Sequence, residues 1–93
     1  MGTLQLPPAA GLEQAVALLR AVEGGIDADG LNIDASALTE FDSAVVALLL
    51  HAQRLARQRG VPLRLSGAPA KLRELAQLYG VDELLPFEPV APT

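Results

Sequence analysis

Residues 31–59 read LNIDASALTEFDSAVVALLLHAQRLARQR, and the fold is decided in this stretch. Leu31 and Ile33 alternate with polar neighbours after Gly30, the pattern of a short half-buried strand. The turn formers Asp34-Ala35-Ser36 end it. A polar loop follows, and then a long helix. From Val45 to Arg59 there is no Gly or Pro, and Ala, Leu, Gln and Arg dominate, all good helix formers. Gly60 and Pro62 stop the helix. Asp42 and Ser43 stand at its start. Both are preferred N-cap types, because a side-chain oxygen accepts one of the orphan backbone N–H groups of the first turn.

At about 100° per residue, Val45, Leu48, Leu49, Ala52, Leu55 and Ala56 share one face, wide enough to cover a sheet. Val46, Ala47 and Leu50 fall on the other side, with Ser43, Arg54 and Arg57. The first two turns are thus apolar all round and the last two amphipathic. Such a half-helix is either buried on both sides, here under the N-terminal helix, or presents a patch that a partner covers.

Outward from this unit, Gly2–Leu6 (GTLQL) reads as an edge strand stopped by Pro7-Pro8. Leu12, Ala15, Val16, Leu19 and Val22 follow helical spacing over about three turns, with Gly24-Gly25 as the stop. On the C-terminal side, Val61, Leu63 and Leu65 alternate with outward Arg64 in a second strand. Pro69 suits a first helical position. Leu72, Leu75, Ala76 and Tyr79 share one face of the next helix and Lys71, Arg73 and Gln77 the other, with Gly80 as its C-cap and Val81 packing back. Residues 82–87 (DELLPF) close the chain as a helical turn and an extended piece, and a flexible tail is expected over 88–93. Strands alternating with helices predict parallel βαβ units, with consecutive strands adjacent.

Composition narrows the function. The 93 residues suit one domain with a modest core of Leu, Val and Ala. A net charge of −4 argues against nucleic acid, and Arg54, Arg57, Arg59 and Arg64 read as a solvated face. The chain has no cysteine, which excludes disulfides and Cys-based metal or redox sites and is compatible with a cytoplasmic home. No apolar run approaches the roughly 18–20 residues of a membrane span, and no signal peptide is expected.

Local signals for catalysis are weak. His51 is the sole histidine and has no second His or Cys for a metal site. Ser43 has no activating His or Lys at motif spacing. Asp34 and Asp42 flank the loop and can be drawn facing each other, although loop carboxylates need no such role. The D-x-D-G at 27–30 fails as a calcium loop: with Gly30 at the sixth place, the first ligand would be Gly25 and the last Ser36. Neither GxGxxG nor GxxxxGK[ST] occurs. No enzyme, metal or cofactor is expected.

Leu31-Asn32-Ile33-Asp34-Ala35-Ser36, then Phe41-Asp42-Ser43, then Ala47-Leu48-Leu49-Leu50 resembles the signature of STAS domains, the fold of the anti-sigma-factor antagonists. In that family an apolar strand ends in Asp-x-Ser, and Asp-Ser/Thr-x-Gly opens an apolar helix. Leu75-Ala76-Gln77-Leu78-Tyr79-Gly80-Val81 with Leu84-Leu85-Pro86 is most similar to the MlaB-type branch, cytoplasmic STAS subunits of the ABC transporter that maintains outer-membrane lipid asymmetry. The resemblance implies a small STAS-like α/β domain over residues 1–93. Its sheet would be mixed or parallel, of about four strands, with helices mainly on one face and a shortened N-terminal strand pair.

The family also implies a non-catalytic protein that binds a nucleotide-handling partner. Here that is the transporter's ATPase subunit, with membrane association only through the complex, at the inner membrane. The short N-terminus leaves room for one strand before the first helix, and a partner or a second copy of the chain is the candidate to cover the sheet edge. Asp42, Ser43, Val46, Ala47, Leu50, Arg54 and Arg57 would form the contact surface. Ser43 stands where anti-sigma antagonists carry their phosphorylatable serine, so an antagonist switched at Ser43 is the alternative. A phosphate there is favoured by the helix N-terminus but adds negative charge beside Asp42 and an apolar patch. A Ser43 that merely caps the helix is a competing reading. Where the family usually has glycines after the Ser/Thr, this chain has Ala44 and Val45, which makes the turn less accessible to a kinase.

Overall fold

The computed structural model describes residues 2–87, so the expected tail over 88–93 lies outside the described residues. Strand β1 (Gly2–Gln5) is followed by β2 (Ala9–Ala10), α1 (Leu12–Gly25), β3 (Leu31–Asp34), β4 (Glu40–Phe41), α2 (Ser43–Arg59), β5 (Leu63–Ser66), α3 (Ala70–Leu78) and a 3₁₀ turn, η1 (Asp82–Leu84). The main sheet has order β1-β3-β5 and is parallel throughout, and β2 and β4 form a separate parallel pair. The sheet therefore has three strands where about four are expected. The closing segment adds a single parallel bridge, Leu65 to Phe87, along the outer edge of β5. The β2–β4 pair, two residues each, is too short for any periodic signal in the sequence.

Register explains the layering. Leu4, Ile33 and Leu65 stand side by side across the sheet, as do Thr3, Asn32 and Arg64 one residue earlier. Alternate residues of a strand point to opposite faces, so the first set enters the core and the second does not. Leu31, Ile33, Leu63 and Leu65 are buried with Val22, Val45, Leu49, Ala52, Leu72 and Ala76 from the helices, whereas Thr3 and Arg64 are exposed. The helices thus cover one face of the sheet. Burying a side chain such as Leu49, 1% exposed, contributes roughly 1.5–3 kcal/mol.

The helix ends follow local chemistry. Asp42 caps α2, its carboxylate accepting the Ala44 N–H at 2.9 Å. Gly60 ends α2 in the left-handed conformation, φ 69°, and Gly80 does the same after α3. Helix α1 ends otherwise. Gly24 and Gly25 lie inside it, and the stop is Ile26, buried and extended, whose N–H returns to the Val22 carbonyl. Pro69 is the N-cap of α3 rather than its first residue. Tyr79 leaves the core, at 54% exposed. The apolar set of α1 is also split between core and surface. Val22 is buried and Leu18 and Leu19 pack against the core, but Leu12 is 75% and Val16 62% exposed.

Candidate functional site

Helices α1 and α2 follow parallel strands and run side by side in the same direction. Their starts touch, since a Cβ on Gly11 would come 3.3 Å from an Asp42 carboxylate oxygen. Their ends are tied by Arg59, which donates to the Glu23 and Ile26 carbonyls at 3.3 Å each, and by His51 Nε2, 3.8 Å from Glu23 Oε1. Arg59 is therefore a structural clasp, not part of a free basic face. His51 is a half-exposed partner of Glu23, and no group of three or more metal-ligating side chains occurs among the described residues.

One turn of an α-helix is 3.6 residues, so Ser43, Ala47, Leu50, Arg54 and Arg57 form a ridge along the outer side of α2. Four of these are exposed and Leu50 is half-buried. Val46, expected beside them, is not on the surface: at 4% exposed it belongs to the core. It lies one turn before Leu50 and two before Gln53, so α2 is buried over a wider arc than one stripe. The N-terminal helix does not provide this cover, because α1 packs along the opposite flank, against Ala44, Ala47 and Leu48.

Two grooves border the ridge. Toward α1, Leu12, Val16 and Leu19 face Ala44, Ala47 and His51 around a cavity of about 310 Å³ that is apolar except for the imidazole. Toward η1, Leu50, Arg54 and Arg57 border a cleft of about 410 Å³ closed by Leu84. Among the described residues neither Arg54 nor Arg57 has an ion-pair partner. Arg57 also sits in the last turn of α2, where a cation favours the helix dipole whatever else it does. Helical spacing groups Leu12 and Val16 with the buried Val22, yet they line the first groove. The signal was present: the apolar arc of α1 runs from Leu18 through Val22, Ala15 and Leu19 to Leu12 and Val16, wider than one contact with the sheet fills.

The loop ahead of the ridge has its own polar logic. Asp42 does the capping, and Ser43 is the first helical residue, exposed, with no hydrogen bond to its hydroxyl among the described residues. The reading of Ser43 as the cap is thereby corrected. Asp34 is held in its own turn by the Ser36 hydroxyl and by the Ser36 N–H at 2.9 Å, and these bonds lower its pKa below the ordinary value. Asp34 and Asp42 are each engaged in a separate local turn and form no paired acid–base site.

Among the described residues this arrangement offers surfaces and no assembled nucleophile, base or oxyanion donors. No described helix is long and apolar enough to cross a membrane. A family model described as "Mlab, STAS domain" matches residues 2–86. No curated protein matches the chain.

Proposed function

Because the chain belongs to the MlaB-like STAS domain family, whose members act by binding other proteins, we propose that it is the non-catalytic subunit that binds the ATPase of an ABC-type phospholipid transporter serving outer-membrane lipid asymmetry. It works on the cytoplasmic side and meets the inner membrane through that complex. The observation that carries this reading is the outer ridge of α2: small and apolar at Ala47 and Leu50, cationic and unpaired at Arg54 and Arg57. An interface with a compact apolar centre and an arginine border is the usual anatomy of a specific protein contact. Asp42 shapes the ridge by capping it, and Val46 supports it from the core.

Co-purification of the tagged chain from its own cells tests the reading. Wild type recovers an ABC ATPase, and Leu50→Asp, folded by circular dichroism, loses at least tenfold of it. An ATPase retained by the folded variant would remove the ridge from the interface. Recovery of no ATPase by wild type would remove the function.

One observation favours a second reading. Because Asp42 caps the helix, the Ser43 hydroxyl is exposed and unengaged, as a phosphorylated antagonist of an anti-sigma factor requires. On that reading Ser43→Asp abolishes binding of a kinase-like partner, whereas Ser43→Ala leaves the protein permanently active.

A further inference from the structure

We propose that the α1 face is a self-association surface: two copies of the chain pair with their α1 helices antiparallel, each lying along the other's α1/α2 groove. Leu12 and Val16 are among the most exposed large hydrophobic residues of the chain, at 75% and 62%. They stand one helical turn apart on the lip of an apolar groove. Exposed pairs of this kind at the mouth of an apolar groove mark contact surfaces.

The charges beside this stripe identify the occupant. Glu13 and Arg20 are both exposed, and neither has an ion-pair partner among the described residues. Seven residues apart, they fall on the same flank of α1 within about 20°. The flank is therefore acidic at Glu13 and basic at Arg20, and the carboxylate of Glu23 one turn further on is already engaged by His51. A surface with such a gradient is complementary to itself when reversed. In an antiparallel pair related by a two-fold axis near Val16 and Ala17, Glu13 of each copy faces Arg20 of the other, the two Val16 side chains meet at the axis, and each Leu12 lies about 7 Å further out, over Leu19 of the other copy. This is an isologous, closed contact. A helix of a foreign partner would need the same gradient by coincidence, whereas a second copy carries it necessarily.

Size permits the contact. A specific interface covers roughly 800 Å² per partner, a modest part of a surface of 5541 Å², and the molecule measures 33 × 30 × 23 Å. With only the two Val16 side chains at its centre and one Leu12 toward each end, the dimer is weak and dissociates on dilution. The proposal needs no ATPase and stands separately from the function proposed above.

Sedimentation velocity on the full chain, without partners, over a range of about 5 to 500 µM tests it. Wild type shifts from monomer to dimer with rising concentration. Val16→Glu, a substitution on an exposed helix position by a good helix former, remains monomeric with an unchanged circular dichroism spectrum. Glu13→Arg and Arg20→Glu, each of which sets like charges face to face twice per dimer, weaken association about tenfold. The double variant Glu13→Arg with Arg20→Glu restores it. Leu78→Asp, exposed on α3, leaves it unchanged. Wild type that stays monomeric throughout overturns the proposal. So does a dimer indifferent to Val16→Glu, and so does a double variant no better than the single ones.

Discussion

Asp42 fixes the start of α2 through one hydrogen bond to the Ala44 N–H, and its removal exposes how much of the helix end depends on it. Asp42→Ala is expected to cost about 1 kcal/mol in urea denaturation, and Asp42→Asn only a few tenths, because Asn caps comparably. Ser43→Ala, which breaks no hydrogen bond found among the described residues, should stay within about 0.5 kcal/mol of wild type. Asp34 carries the pH dependence. Its folded pKa is lowered by the Ser36 hydroxyl and N–H, so its contribution is present above the unfolded value, about 3.9, and is lost as pH falls through the folded value. Urea midpoints from pH 6 downward should show wild type ahead of Asp34→Asn at neutral pH, with the gap closing in acid. Gly30 is a backbone matter. At φ 107°, with the Pro62 carbonyl where a Cβ would lie, Gly30→Ala should cost about 2 kcal/mol or more by the same measurement.

At the scale of elements, α2 is a helix with two separable jobs on adjacent arcs. Leu49 faces the sheet, 1% exposed, and Leu50 is its half-buried neighbour beside the ridge. Leu49→Ala should therefore lower stability by about 2–5 kcal/mol through the cavity it leaves, while Leu50→Asp acts mainly on binding. A thermal melt separates the two: the first variant melts well below wild type and the second close to it. The limits of this helix were legible beforehand, because Asp42, Gly60 and the uninterrupted run between them act within a turn of themselves. The split of the α1 apolar set was not legible. Its apolar arc is wider than the contact the sheet offers, and helical spacing cannot say which part of a wide arc goes inward. Leu18 packs on the core while Leu12 and Val16 remain outside.

For the whole molecule, the parallel sheet with helices on one face leaves the outer sides of α1 and α2 as the broad non-sheet surface available to partners. Charge sets its character. A chain of net charge −4 that presents Arg54 and Arg57 without ion-pair partners among the described residues places positive charge on one helix, so association with the proposed ATPase partner should weaken as salt rises. Arg54→Glu with Arg57→Glu should slow that association at low salt by about tenfold and flatten its salt dependence, read by surface plasmon resonance. The three-stranded order β1-β3-β5 was foreseeable, since a strand–helix–strand connection places successive strands side by side. The added β2–β4 pair was not, because it depends on residues 9–10 meeting residues 40–41.

By itself the sequence determined the three helices and the three strands of the main sheet, their order, the capped start and glycine end of α2, and the family signature across the strand, loop and helix. Each of these rests on residues within a few positions of one another, where backbone sterics and hydrogen bonding are local. Tertiary structure alone decided which apolar side chains are surplus. Val46 is core because the buried arc of α2 is wider than one stripe, and Leu12 and Val16 are surface because α1 turns a different part of its arc inward. Hydrophobicity states that a side chain gains by leaving water. It does not state which neighbour will cover it, and that depends on how much of each wide helix face the three-stranded sheet can hold.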